Sequence, residues 1–444
     1  MSSPGDLRLS RRLFTGAALS FLAGCARAPR SQPAAPFVPA QTAVLDAPLS
    51  PGETPTPTPF VEARTESDFP LFAAHPRLGE AIARAPLGLF PTPIERAAAL
   101  GQRLGIGALY VKRDDVSGAV YGGGKTRKLE LFLGEARRGG HSTVITFGAA
   151  GSHHAVATAI HASALGMKAH LMLLPQPNDE LVREALLADL RFGATIRLAR
   201  GLAGAEAAAR RQLLAAGDRR EPYVIPVGGS SPLGNVAFVN AAFELGRDVE
   251  QGRLPEPDVV YLAMGTMGSA AGLALGFAAL GMKTRIVAVR TSSPGTSSAP
   301  RLRAMLAETG EYLRALDPSF PAVDPDRCAI TLAGKQLGAG YGLPTKRGLA
   351  AIAIARELAD LTLEPTYTGK ALAALIDDAP ALAGQVVLFW SSHSSRTLDV
   401  ASVDPRDLPA ELQGYFRPLR AWPSAPAPAR SVASSSRSGG APGR

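Results

Sequence analysis

The sequence predicts an α/β protein in which parallel-rich sheets are flanked by helices. Three observations carry this. First, short β-branched apolar runs recur along the middle of the chain, at residues 108–113, 143–147, 169–174, 195–198, 224–227, 259–263, 285–289 and 386–390; turn residues bound each of them, as expected of strands. Second, helix-patterned segments lie between most of these runs. After Lys125, for example, Leu129, Phe132, Leu133 and Ala136 fall at i, i+3, i+4 and i+7, which makes one apolar helix face. Alternation of this kind gives parallel sheets with helices on both faces. Third, aromatic residues make up only 6% of the chain while Gly alone numbers 46, a composition suited to closely packed helices.

The 444 residues allow two or three domains, at roughly 150 residues each, and a core that needs no disulfide or metal. The net charge of +9 is unevenly spread: residues 416–444 hold five Arg and no acid, whereas residues 76–415 hold 36 basic and 32 acidic residues. The excess sits in a basic tail rather than in a clustered stripe, which speaks against a nucleic-acid binder. No apolar run approaches the roughly 18 residues of a membrane-spanning helix, which speaks against a helical transporter. The two cysteines, Cys25 and Cys328, stand far apart and suit neither a disulfide framework nor a zinc site. Cys328 is expected to be a buried free thiol.

The N-terminus reads as an address. Ser10-Arg11-Arg12-Leu13-Phe14-Thr15 precedes a short apolar run, residues 16–24, that ends in Leu22-Ala23-Gly24-Cys25. A twin Arg, an apolar segment and small residues before a Cys mark a twin-arginine lipoprotein signal, expected over residues 1–25. Cys25 would carry the lipid and hold the protein at the cell envelope after export in folded form; without use of the signal the protein would stay cytoplasmic. Residues 26–75 are expected to form a Pro-rich tether, stiffest at 51–59, and residues 416–444 a disordered tail.

In parallel α/β folds ligands sit at the carboxyl ends of strands, near helix N-termini. Three small-residue segments occupy such places. The first is Gly122-Gly123-Gly124-Lys125-Thr126-Arg127-Lys128. Glycines let a ligand approach the backbone, and a Lys at a helix start is disfavoured in its charged form, which suits a nucleophilic amine. Residues 119–126 fit a P-loop only loosely, without its first Gly or the strand that leads into it. The second segment is Gly148-Ala149-Ala150-Gly151-Ser152-His153-His154. Ser152 caps a helix and can aim its hydroxyl at an anion; His153 can donate to a phenolate, and His154 packs. Two adjacent His do not make a metal site. The third is Gly265-Thr266-Met267-Gly268-Ser269, a phosphate cradle of backbone N–H groups, hydroxyls and a positive helix end.

Taken together, these segments resemble the pyridoxal-phosphate enzymes of the tryptophan synthase β-like fold, and most closely the branch of D-cysteine desulfhydrase and 1-aminocyclopropane-1-carboxylate deaminase. The resemblance spans about residues 87–392. It also rests on Pro91-Thr92-Pro93-Ile94, Tyr110-Val111-Lys112-Arg113-Asp114-Asp115, Pro226-Val227-Gly228-Gly229-Ser230, Tyr341-Gly342-Leu343-Pro344 and Tyr367-Thr368-Gly369-Lys370. It implies two domains with pyridoxal 5'-phosphate in the cleft between them: a large one of residues 76–125 and 240–415, and a small one of residues 126–239. It implies a homodimer, as is common in the family, and a small amino acid as substrate.

Carried over position by position, Lys125 is the Schiff-base lysine, and Lys128 faces the cofactor phosphate, which Gly265, Thr266, Met267, Gly268 and Ser269 bind. Ser152 sits near the substrate carboxylate and the reacting carbon, Tyr341 and Tyr367 line the substrate side, Tyr367 or Ser152 assists the leaving group or reprotonation, and Thr368 bonds the pyridine nitrogen. Two positions depart from the pattern. His153 stands where the family has Asn beside the ring hydroxyl, and Ser391-Ser392-His393 stands where relatives show a His-Thr-Gly-Gly element. Thr368, a hydroxyl where the deaminase lineage carries a carboxylate, tilts the expectation towards β-elimination giving an oxo acid and ammonia. Deaminase-like ring opening, racemisation and a non-catalytic binding lipoprotein are the alternatives.

Overall fold

A computed structural model describes residues 69–199, 201 and 221–417. The expected export signal with Cys25, the tether up to residue 68 and the tail from residue 418 lie outside the described residues. The tether was expected to run to residue 75, but the folded body already begins at Phe69. Helices α1 (Pro70–Ala74) and α2 (Pro76–Ala81) bury Leu71, Phe72 and Leu78. The Leu71 N–H donates to Asn240 Oδ1 at 3.0 Å, so this segment is core rather than linker.

The chain then forms β1 (Ile94–Arg96), α3 (Ala98–Leu104), β2 (Ala108–Arg113) and α4 (Gly124–Arg138). Four strands follow in a second sheet: β3 (Thr143–Ala149), β4 (Lys168–Leu174), β5 (Thr195–Leu198) and β6 (Tyr223–Val224), with α5 (His153–Ala164) and α6 (Glu180–Arg191) between the first three. The chain returns through α7 (Pro232–Glu250), β7 (Val259–Met264), α8 (Gly268–Ala279), β8 (Arg285–Arg290), α9 (Ala299–Leu316), β9 (Ile330–Ala333), α10 (Lys346–Ala359), α11 (Thr368–Asp378) and β10 (Val386–Ser391).

Two sheets result. The larger has the order β1-β2-β10-β7-β8-β9 and the smaller β5-β4-β3-β6. All pairings are parallel except that of β1 with β2. The eight expected runs are all strands. β3, β4, β7, β8 and β10 extend one or two residues further than expected. β6 is shorter, because Pro226 has no N–H to donate to a ladder and the backbone turns at Val227–Gly229. β1 and β9 were not expected. Both are short edge strands of three and four residues, too short for a period to show, and neither has a fully buried residue.

Helices cover both faces of the large sheet. Leu262, Ile286, Leu388 and Trp390 point towards α7, α8 and α9, while Val259, Tyr261, Val287 and Phe389 point towards α10 and α11. The smaller sheet has its own core, built on Leu171, Leu173, Val156 and Leu186. Two expected boundaries need correction. The cut at residue 239 falls inside α7, a continuous 19-residue helix whose Val236, Phe238, Val239 and Leu245 are all in the large core. The stretch after β10 was assigned to the large domain up to 415, and the tail was to start at 416. Instead Leu398, Val400, Leu408, Leu412, Tyr415 and Phe416 pack on the small core, and Arg183 and Arg191 of α6 bond to the same stretch.

Candidate active site

The Gly122–Lys125 bend lies where the two sheets meet. Gly123 adopts φ +91°, and a Cβ there would stand 2.7 Å from the Ser392 carbonyl, so only glycine fits. The bend is pinned from two strands: the Gly123 N–H donates to the Asp114 carbonyl at 2.8 Å and the Gly124 N–H to the Ser392 carbonyl at 3.0 Å. Lys125 therefore enters the cavity on the first turn of α4. No hydrogen bond or ion pair holds its amine among the described residues. Burial lowers its pKa from 10.5 to about 8, so loss of water rather than the helix dipole is the main cause.

One turn on, Lys128 is fully buried. Its Nζ donates to the Gly228 carbonyl at 3.3 Å and to Ser230 Oγ at 3.4 Å. Burial first, and then the charge of Lys125, push it well below the usual lysine range. It faces the loop between β7 and α8. A Cβ on Gly268 would fall 2.3 Å from Asn235 Oδ1, 2.6 Å from Ser230 Oγ and 2.8 Å from Lys128 Nζ. Thr266 Oγ1 and Ser230 Oγ are 2.7 Å apart, and no side chain caps the first N–H groups of α8. An amine held away from water, two hydroxyls and an uncapped helix N-terminus fit an anion such as a phosphate.

Across the cavity Ser152 caps α5, its Oγ accepting the Ala155 N–H at 3.3 Å. His154 packs as expected: it is buried, and its Nε2 is 2.9 Å from Thr146 Oγ1. His153 lies in the cavity wall. Its Nδ1 is 3.2 Å from Tyr121 Oη, its Nε2 is 3.9 Å from Glu364 Oε2, and its ring meets that of His393 edge-on at 4.6 Å. Tyr341 and Tyr367 share a hydroxyl contact of 2.7 Å. Lys370 Nζ holds the Tyr341 loop by donating to the Leu337 and Gly340 carbonyls.

The structure brings all the expected site residues to one cavity of about 940 Å3 including its mouth, apart from Lys128, which lies behind its phosphate-facing wall. Ser392 and His393 belong to the same wall. Glu364 and Tyr121 escaped the sequence reading. Glu364 Oε1 accepts the N–H groups of Tyr367 and Thr368, and its Oε2 accepts that of Thr366, all at 2.7–2.8 Å. Burial alone would raise this carboxyl, but His153, His393 and the amides hold it near 2, so it is a carboxylate. The only available signal was an acid four residues before a helix-opening Thr. The Thr368 hydroxyl donates to Glu364 Oε1 at 3.2 Å and accepts the Glu364 N–H at 3.0 Å. It therefore offers a ring nitrogen a lone pair rather than a proton.

The chain is similar to several known proteins. The family described as pyridoxal-phosphate dependent enzyme matches residues 86–392. D-cysteine desulfhydrase of Serratia proteamaculans is 34% identical over 294 residues, covering 64% of this chain and 85% of that protein. Nocardicin C-9' epimerase of Nocardia uniformis is 34% identical over 321 residues, covering 71% of this chain and 94% of that protein. A solved structure described as an ACC deaminase homologue superimposes with a TM-score of 0.62 at 30% identity, covering 73% of this chain and 95% of that one.

Proposed function

This chain belongs to the pyridoxal-phosphate-dependent enzymes, and on that premise we propose that it removes a β-substituent from a small amino acid, in the manner of a desulfhydrase, to give an oxo acid and ammonia. The observation that carries the reading is the placement of Lys125, with its lowered amine, in one cavity with the Gly265–Ser269 loop, Lys128 standing behind that loop. A cavity with an unpaired amine on one wall and an anion cradle on another suits a molecule that carries both an aldehyde and a phosphate. When bound, pyridoxal phosphate supplies that aldehyde and a ring that draws electron density from the substrate α-carbon.

The chain's own residues do the rest. Loop 265–269 and Lys128 would hold the phosphate. Ser152 and the N-terminus of α5 orient the substrate carboxylate. Lys125, neutral in a useful fraction near pH 8, takes the α-proton. Tyr341 and Tyr367 exclude water from the substrate side. The several D-cysteine desulfhydrases among the relatives support elimination over ring opening.

The test is a spectrum of the purified protein, followed by a panel of D- and L-amino acids scored for ammonia and oxo acid. The wild type is expected to bind the cofactor with visible absorption that Lys125→Ala abolishes. An unchanged band in Lys125→Ala would sink the assignment.

The Arg11-Arg12 pair, the apolar run 16–24 and Cys25 support export and a lipid anchor at the envelope. Replacement of Cys25 by Ala is expected to release the enzyme from the membrane fraction. A homodimer is the expected assembly, and light scattering of the purified protein tests it.

A further inference from the structure

The cavity holds more ionisable side chains than Lys125 requires. Tyr367 is pushed far up by burial and by Tyr341, so it keeps its proton. Burial drives His393 to about 3 and drives His154 well down as well, so neither ring carries a proton to give near neutrality. Ser152 accepts the Ala155 N–H as the cap of α5, and its own hydroxyl proton is the one given above to the substrate carboxylate. That leaves His153, which is built differently. Its side chain is 22% exposed, so solvent can resupply a proton. Tyr121 holds one ring nitrogen and the Glu364 carboxylate faces the other. In its protonated form the ring donates Nδ1–H to the Tyr121 oxygen and turns Nε2–H towards Glu364 and the cavity. The titratable groups around it are Tyr121, Glu364, His393 and Tyr367, with Asp179 and Glu184 sensing it at longer range.

We propose that His153 is the proton donor to the departing β-substituent, and that the substrates are amino acids whose β-group must be protonated to leave, a hydroxyl or a thiol. This rests on the elimination reading above. Lys125 takes the α-proton, and the electron pair of the broken Cα–H bond becomes the Cα=Cβ double bond. The Cβ–O or Cβ–S pair departs with the heteroatom, which receives the Nε2 proton and leaves as water or hydrogen sulfide. Lys125 gives the proton it took to solvent and solvent returns one to His153, and water converts the enamine to oxo acid and ammonia.

The experiment compares serine with β-chloroalanine of the same hand, since chloride leaves without a proton. In His153→Asn the serine rate is expected to fall by about 10²-fold or more, the usual scale of a lost general acid, while the chloroalanine rate falls less than about tenfold. The visible spectrum and the cofactor dissociation constant are expected to stay close to wild type, because Asn also offers an N–H beside the ring hydroxyl but has no acidic proton to give. Tyr121→Phe, which removes only a hydroxyl, is expected to move the rate ratio the same way by a smaller factor. Equal losses on both substrates, or none, would overturn the proposal while leaving elimination intact. A wild type that binds cofactor but turns over neither substrate would remove the elimination reading and this proposal with it.

Discussion

Lys125 and Lys128 stand one turn apart on α4, and the charge of the first adds to burial in pushing the second towards neutrality. The pair is poorly solvated and awaits an anion. Lys125 itself is lowered from 10.5 to about 8. Between these values the unfolded chain binds more protons than the folded one, so this group makes stability rise with pH across that window. Urea unfolding of cofactor-free protein at several pH values is expected to show a steeper rise from pH 8 to 10 in wild type than in Lys125→Met. Equal slopes would mean that the amine is not held away from water.

Gly268 leaves the space in which a phosphate meets Lys128. An Ala there would put a methyl against Asn235, Ser230 and the Lys128 amine at 2.3–2.8 Å. Gly268→Ala is expected to weaken pyridoxal phosphate by about tenfold to a hundredfold, the value of one charge-assisted hydrogen bond. Pyridoxal, which lacks the phosphate, is expected to lose much less. Equilibrium titration with both ligands separates the outcomes, and an equal loss for both would mean that the methyl distorts the whole cavity.

The chemistry-bearing segments were legible because each is a run of small residues at a helix start, and two of them directly follow a continuous apolar strand. The Gly122–Lys125 bend, the Ser152 cap and the Gly265–Ser269 loop all announce themselves in this way. Glu364 did not, because its role comes from three amides that converge only once α11 has formed. Tyr121 reads as a loop aromatic until His153 is brought beside it from residue 153. The stretch from Leu398 to Phe416 looks like a polar coil, and its scattered apolar side chains make sense only against the face of another domain.

That closing stretch gives a further test. Tyr415 Oη donates to the Gln176 carbonyl and accepts the Gln176 N–H, both at 3.0 Å. The Tyr415 carbonyl accepts from Asn178 and Arg183 at 2.8 Å. Leu412 is fully buried in the small core. Leu412→Ala is expected to lower stability by about 2–5 kcal/mol, the range for a buried Leu, as measured by denaturant midpoint. A change below about 0.5 kcal/mol, as for a surface site, would mean that the segment does not dock in solution.

Behind the cavity lies a buried charge network that sets where Lys125 points. Asp114 accepts two bonds from Arg127 at 2.7 and 2.9 Å and the Trp390 indole N–H at 2.8 Å. Arg127 also pairs with Glu244 at 2.7 Å, and Glu244 pairs with Lys112 at 2.7 Å. Arg127 follows Lys125 by two residues and Trp390 lines the cavity, so Asp114 ties the helix that carries the amine to the wall it faces. Asp114→Ala removes one of the two carboxylates that pair with the buried Arg127 guanidinium. Removing one partner of such a pair costs about 3–5 kcal/mol, whereas Asp114→Asn keeps the shape and part of the bonding and is expected to cost less. Denaturation curves rank the two variants. Cofactor absorption is expected to weaken in Asp114→Ala even where the fold persists, since the first turn of α4 loses its anchor. Equal stability of wild type and both variants would mean that Glu244 alone satisfies Arg127, and that the orientation of Lys125 is set by the glycine bend by itself.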